Sequence, residues 1–340
     1  MRNCRFWIFL LGLLCLPLAN LFPGAAALAE NSVPEINNPN PGADLWRAVR
    51  GHLDTPATTQ VTGHDSAGLV NPQGERWMST RNDQLIPQGG DLLLVVLLII
   101  VGVYAIRGPV KLRSGESGVQ VQRHSVNARF VHWLLAALFI VLGITGLLLL
   151  FGRPLLIPLI GKSAFGVAAS ASKEVHNLLG LLFPIALVLM FFNLVRRNLY
   201  EKGDLTWFAK GGGMLGKGHA SAGKFNGGEK VLFWLTVFLG IGISVTGYIL
   251  DFPAIASWIV TVCPDFSQYR HVMEYTHIVH GVIAVVFIAL VVGHIFLAVF
   301  FVRGTLSGMT RGQVDANWAK EHHDRWYTEV QGDSEENRAP

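Results

Sequence analysis

Five apolar blocks, at about 91–106, 130–151, 175–195, 230–250 and 275–302, constrain this chain more than any other feature. A helix needs about 20 consecutive apolar residues to cross the hydrocarbon core of a bilayer, where every backbone polar group must be satisfied internally. Composition agrees. The 340 residues are 51% hydrophobic and 15% charged, with mean hydropathy +0.41, against about 25% charged in soluble domains. The expectation is an all-α membrane protein.

An earlier apolar stretch, Ile8–Leu18, is shorter. Arg2 and Arg5 precede it and Ala27-Leu28-Ala29 follows it. That is the pattern of a secretory signal peptide over 1–29. Residues 30–90 are polar and rich in Asn, Pro and Gly, and read as an exported, partly extended segment with little core of its own. If Cys4 and Cys15 leave with the leader, Cys263 is a lone thiol, so no disulfide, Cys-rich metal site or iron–sulfur cluster can be built.

Lys and Arg give the direction. Linker 107–129 carries Arg107, Lys111, Arg113, Arg123 and Arg129. Connection 196–230 carries Arg196, Arg197 and five lysines. Tail 303–340 carries Arg303, Arg311, Lys320 and Arg325. Connections 152–174 and 251–272 are poorer in basic residues. The positive-inside rule puts the basic segments in the cytoplasm, in agreement with an exported N-terminal segment followed by five spans. The net charge of +4 follows this topology and calls for no nucleic-acid partner.

Ionisable or ligand-grade residues inside spans are rare and costly. His132 and His294 lie toward the cytoplasmic side, and His176, His277 and His280 toward the exported side. His280 and His294 are fourteen positions apart, about 21 Å along a helix and nearly on one face. One helix can thus offer an imidazole to each of two stacked sites, with His176 and His132 opposing. His277 is the rival of His280, but its seventeen-residue spacing turns it about 100° away from the face of His294. Two bis-histidine haems fit: imidazole is a good iron ligand, helix bundles build cofactor sites from facing side chains, and iron with both axial positions filled transfers electrons rather than binding substrate. Cys-x-x-Cys-His is absent, so the haem is of b type. Glycines 143, 146, 180, 242, 247 and 281 would let a flat macrocycle approach, or let helices pack closely. His52, His64, His124, His219, His271, His322 and His323 lie outside the spans and read as solvated or interfacial.

From about Val119 to Val330 the chain resembles the gamma, or cytochrome b, subunit of respiratory formate dehydrogenase. The resemblance rests on Arg129-Phe130-Val131-His132-Trp133, Val175-His176-Asn177, Gly223-Lys224-Phe225-Asn226-Gly227-Gly228-Glu229-Lys230, Thr246-Gly247, the span with His280-Gly281 and His294, and the tail Trp318 to Tyr327. It implies a four-helix di-haem bundle over 130–302; the 91–106 span, read from its apolar run as an extra N-terminal transmembrane helix, and the rest of residues 1–118 are not explained by it. It implies His176 and His280 on the exported-side haem and His132 and His294 on the cytoplasmic-side haem. A menaquinone or ubiquinone site beside the second haem would be contacted by Asn226, a residue that serves equally as a helix N-cap or turn residue. The implied partners are a catalytic alpha subunit and an iron–sulfur beta subunit in a bacterial inner membrane. Formate oxidation would occur there and not in this chain. The rival readings are the cytochrome b of a nickel–iron hydrogenase or other molybdoenzyme, and a haem-free membrane anchor.

Overall fold

The computed structural model describes residues 74–213, 220–263 and 269–336. The leader, most of segment 30–90, His52, His64 and His219 lie outside the described residues.

α1 (Gly74–Arg107) begins at Gly74 rather than at 91. Its first turns are polar, but one stripe packs: Leu85 and Gly89 are buried, and a methyl group at Gly89 would meet Val285 at 3.2 Å. Packing on one stripe holds this stretch helical where composition alone gave no signal. A π-helical stretch, Thr80–Leu85, interrupts it.

α2 (126–160) and α3 (162–194) form one antiparallel hairpin reversed at Gly161, whose φ of 80° and ψ of 166° only glycine adopts readily. Contacts cross between the two arms: Gly146 against His176 and Phe139 against Phe183, each pair equidistant from Gly161, and Gly152 against Phe165 nearer the turn. The expected loop 152–174 is therefore helical. Pro154 and Pro158 sit inside α2. α2 starts at a Ser125 cap whose hydroxyl accepts from the Ala128 N–H at 3.2 Å.

α4 (Asp204–Ala209) precedes α5 (Gly227–Asp251), and α7 (Tyr269–Phe301) ends in a π turn, Phe296–Phe301. α1, the α2–α3 hairpin, α5 and α7 are long and apolar enough to cross a membrane. The chain is a multi-pass, all-α membrane protein in which α2, α3, α5 and α7 run alternately up and down. Their shared core includes Leu135, Phe183, Leu187, Val237 and Phe287. Phe287 lies midway between His280 and His294 and stacks edge-on with Phe139 at 4.7 Å.

The segments flanking the bundle at one end form a compact cap. β1 (Gln120–Gln122) pairs antiparallel with β2 (Gln313–Asp315). α8 (Thr305–Thr310), α9 (Ala316–His322) and α10 (Asp324–Glu336) complete it. Trp318, Trp326 and Val314 form its apolar centre. The buried Arg123 guanidinium lies over the rings of Trp318 and Trp326, at 4.8 and 5.2 Å, and donates to Glu229 at 3.2 Å. The tail is thus part of the fold.

The second compact unit contributes one described helix of its own, α6 (Pro253–Val262), with Ala256 and Ile259 buried. Cys263 follows it and is disulfide-bonded. The lone thiol is an expectation for the chain without its leader, which the full-length structure does not test.

Candidate functional site

The four bundle histidines meet in two couples. The rings of His176 (α3) and His280 (α7) have centroids 6.3 Å apart. Those of His132 (α2) and His294 (α7) are 6.4 Å apart. A metal bonded to two imidazole nitrogens at about 2 Å each separates the nitrogens by about 4 Å. Adding the distance from each nitrogen to its ring centre brings the centroids to about 6 Å apart, close to both couples. His277 takes another course. Its ring meets Trp77 edge-on at 5.5 Å, and its Nδ1 has no hydrogen-bond partner among the described residues.

The His176/His280 couple is oriented by a device that the sequence carries twice. Thr145 Oγ1 lies 2.9 Å from His176 Nδ1, and Thr246 Oγ1 lies 2.9 Å from His280 Nδ1. Each hydroxyl has a single proton, and each sits 2.8 Å from the carbonyl four residues earlier, Val141 or Gly242. The proton goes to that carbonyl, so the threonine oxygen accepts from the imidazole Nδ1–H. This fixes the tautomer and leaves both Nε2 lone pairs free for a metal, the arrangement that outer hydrogen bonds impose on metal-ligating histidines. The residue after each threonine is glycine. A Cβ at Gly146 would sit 3.2 Å from His176 Cε1, and one at Gly247 would sit 3.4 Å from His280 Cε1. Thr246-Gly247 stood out in the sequence, whereas its counterpart Thr145-Gly146 was legible as a repeated dipeptide and missed.

The His176/His280 couple and His294 open onto separate cavities. One, of about 500 Å³, holds His176, His280, His277, Arg81, Lys173 and Asp251 among apolar walls that include Phe139 and Phe287. The other, of about 570 Å³, holds His294, Asn226, Glu229, Trp207, His322 and His323. Both lie in the range of cofactor and ligand sites. Among the described residues no cluster of three or more His, Cys, Asp or Glu could hold a bare metal ion. His132 Nδ1 is buried without a hydrogen-bond partner, so the second couple lacks the threonine device. Paired imidazoles, glycine cradles and apolar walls fit a flat, iron-centred macrocycle.

Asn226 is both a cap and a wall of the second cavity. Its Oδ1 accepts from the Glu229 N–H at 2.9 Å, while the Glu229 carboxylate accepts from the Asn226 N–H at 2.9 Å. This reciprocal box starts α5. The Asn226 Nδ2 group makes no hydrogen bond among the described residues and remains able to donate to a carbonyl oxygen in the cavity.

Two histidines expected to be solvated or interfacial are buried: His124 is 4% exposed and His323 is 1% exposed. His323 donates Nδ1–H to the Gly223 carbonyl at 2.8 Å, leaving Nε2 to accept from Arg123 at 3.1 Å. Burial, and next the Arg123 charge, hold it neutral far below the usual histidine range. The same two causes push His124 down to about 3. Burial and aromatic neighbours, invisible along the chain, decide both.

Residues 123–312 match the family described as prokaryotic cytochrome b561. The chain is 31% identical over 208 residues to the nitrate-inducible formate dehydrogenase cytochrome b556(Fdn) subunit of Escherichia coli K12, covering 60% of this chain and 88% of that one. It is 28% identical over 218 residues to the cytochrome b556(fdo) subunit of the same organism, covering 63% and 95%. It is 31% identical over 221 residues to the formate dehydrogenase cytochrome b556 subunit of Haemophilus influenzae, covering 63% and 85%.

Proposed function

The chain belongs to the prokaryotic cytochrome b561 family and, within it, to the formate dehydrogenase cytochrome b556 subunits; from that premise we propose a di-haem relay that delivers electrons to quinone. It is a membrane cytochrome b with an electron-transfer role and no catalytic centre of its own. His176 and His280 hold one haem b, and His132 and His294 hold the other. Haem held by these residues would supply reversible one-electron chemistry at each place. The observation that carries this reading is the matched separation of the two couples, 6.3 and 6.4 Å.

The chain's own work is positioning. Thr145 and Thr246 keep the Nε2 atoms of one couple facing each other. The helix α7 carries one ligand for each haem, with Phe287 and Phe139 packed between them. Basic residues at the cap end support a cytoplasmic cap and C-terminus, and hence an exported His176/His280 couple in a bacterial inner membrane. Electrons enter on the exported side from an iron–sulfur subunit served by a catalytic subunit that oxidises formate. They leave to menaquinone or ubiquinone in the cavity of His294 and Asn226. The Asn226 Nδ2 group donates to a quinone carbonyl. The relatives' formate dehydrogenase names favour this reading over a hydrogenase cytochrome b.

Substituting Asn226 two ways tests the quinone site. Asn226→Asp keeps an oxygen for the cap but loses the amide donor. It should slow oxidation of the dithionite-reduced protein by a menaquinone analogue while haem content and helicity stay normal. Asn226→Ala should do the same and also lose about 1 kcal/mol of stability with the cap. Unchanged quinone kinetics in both variants would remove Asn226 from the site.

A further inference from the structure

The cavity of His176 and His280 has a wall that the family match does not reach. The match begins at residue 123, yet Arg81 of α1 lines this cavity. Inward positions recur every four residues along the start of α1. Trp77 meets His277 edge-on at 5.5 Å. Leu85 packs so closely on Gly281 that an added methyl there would sit 2.7 Å away, and Gly89 packs on Val285. Arg81 stands between these docked residues, in the π stretch Thr80–Leu85. A π turn inside an α-helix re-aims side chains and occurs often at functional sites.

The chemistry of Arg81 is unfinished within the chain. One of its five N–H groups donates to its neighbour Asn82 Oδ1 at 2.9 Å. Among the described residues no carboxylate lies within ion-pair distance of it, although Asp251 lines the same cavity. Lys173 adds a second cation to the lining. A half-buried guanidinium aimed into an apolar cavity, backed by a lysine, is matched best by a carboxylate that arrives with a ligand, because the planar fork binds carboxylates bidentately.

We propose that Arg81, with Lys173, receives the carboxylate side chains of the haem held by His176 and His280, so that α1 forms a wall of that site. This rests on the haem assignment made above. A b-type haem carries two propionates, and a cation beside it favours the state with one more electron. Arg81 therefore raises the midpoint potential of one haem and slows its escape. The helix that the family match omits becomes part of the electron-entry site.

The test is a spectroscopic redox titration of the full-length detergent-solubilised protein, with haem retention measured against an excess of apomyoglobin. Arg81→Gln should lower one of two midpoint potentials, leave the other in place, and speed loss of one haem about tenfold, the scale of outer-shell changes at metal sites. Arg81→Lys should stay near wild type, since the cation survives. Arg76→Gln, an equal charge change at an exposed position of α1, should change nothing. Two unaltered potentials and unaltered haem retention in Arg81→Gln would overturn the role of Arg81 while leaving the haem sites standing. Wild-type protein without b-type haem would overturn the underlying reading instead, and this inference with it.

Discussion

Replacing Thr246 by Val removes one oxygen and almost no volume, so its consequences belong to the hydrogen bond. His280 Nδ1 lies 2.9 Å from Thr246 Oγ1, and Thr246 is 9% exposed. With valine there, the Nδ1–H loses its acceptor in a place where water cannot replace it. A buried donor left unpaired costs about 1–3 kcal/mol. Hydrogen bonds between membrane helices run lower, from about 0.6 up to about 1.7 kcal/mol. A loss of 1–2 kcal/mol in the ligated state corresponds to about 5–30-fold weaker haem binding at one site. The imidazole also becomes a poorer electron donor without its acceptor, so the potential of that haem should rise. Thr246→Ser restores the oxygen and should restore both properties. Redox-difference spectra, haem titre and a potentiometric titration on the three proteins read all of this. Full haem content with an unmoved potential in Thr246→Val would show that the hydroxyl does not orient His280, and the tautomer argument would fall.

Other expectations follow from the same geometry. His280→Ala should lose one b-type haem and His277→Ala should keep both, as counted by pyridine haemochrome; the reverse pattern would move the ligand by one turn of α7. The cap should loosen in acid. His124, pushed to about 3, and His323, held neutral by burial and next by Arg123, bind fewer protons folded than unfolded. Their contribution is intact above the unfolded histidine value of about 6.5 and is lost as pH falls from there toward the folded values, at up to about 1.4 kcal/mol per unit for each. Protection factors of the 303–336 amides, corrected for the slower intrinsic exchange in acid, should fall from pH 7 to pH 4.5, and protection that stays flat would contradict the sign.

What the sequence disclosed and what it hid divide along physical lines. The fourteen-residue interval between His280 and His294 is a property of one helix, so periodicity alone placed them at two depths on one face. Apolar run length likewise gave the spans, because the bilayer sets it. Helix outside the hydrocarbon core was not legible. The α2–α3 hairpin continues past Pro154 and Pro158 to Gly161, and α1 starts at Gly74, because tertiary contacts decide those residues rather than hydropathy. The cap was hidden for a related reason. Arg123, Glu229 and His323 come from three distant segments, and only their meeting makes each buried charge or imidazole affordable. Asn226 was open between cap and ligand contact in the sequence; the structure commits its oxygen to the Glu229 N–H and leaves its amide without a hydrogen bond among the described residues.

The most direct measurement is the number of b-type haems per chain in the purified protein, together with the axial ligation of each by low-temperature electron paramagnetic resonance. The account predicts two haems, both low-spin with two nitrogen ligands, one lost when His132 or His294 is replaced by Ala and the other when His176 or His280 is. A single haem, none, or a high-spin iron with an open axial position would contradict it.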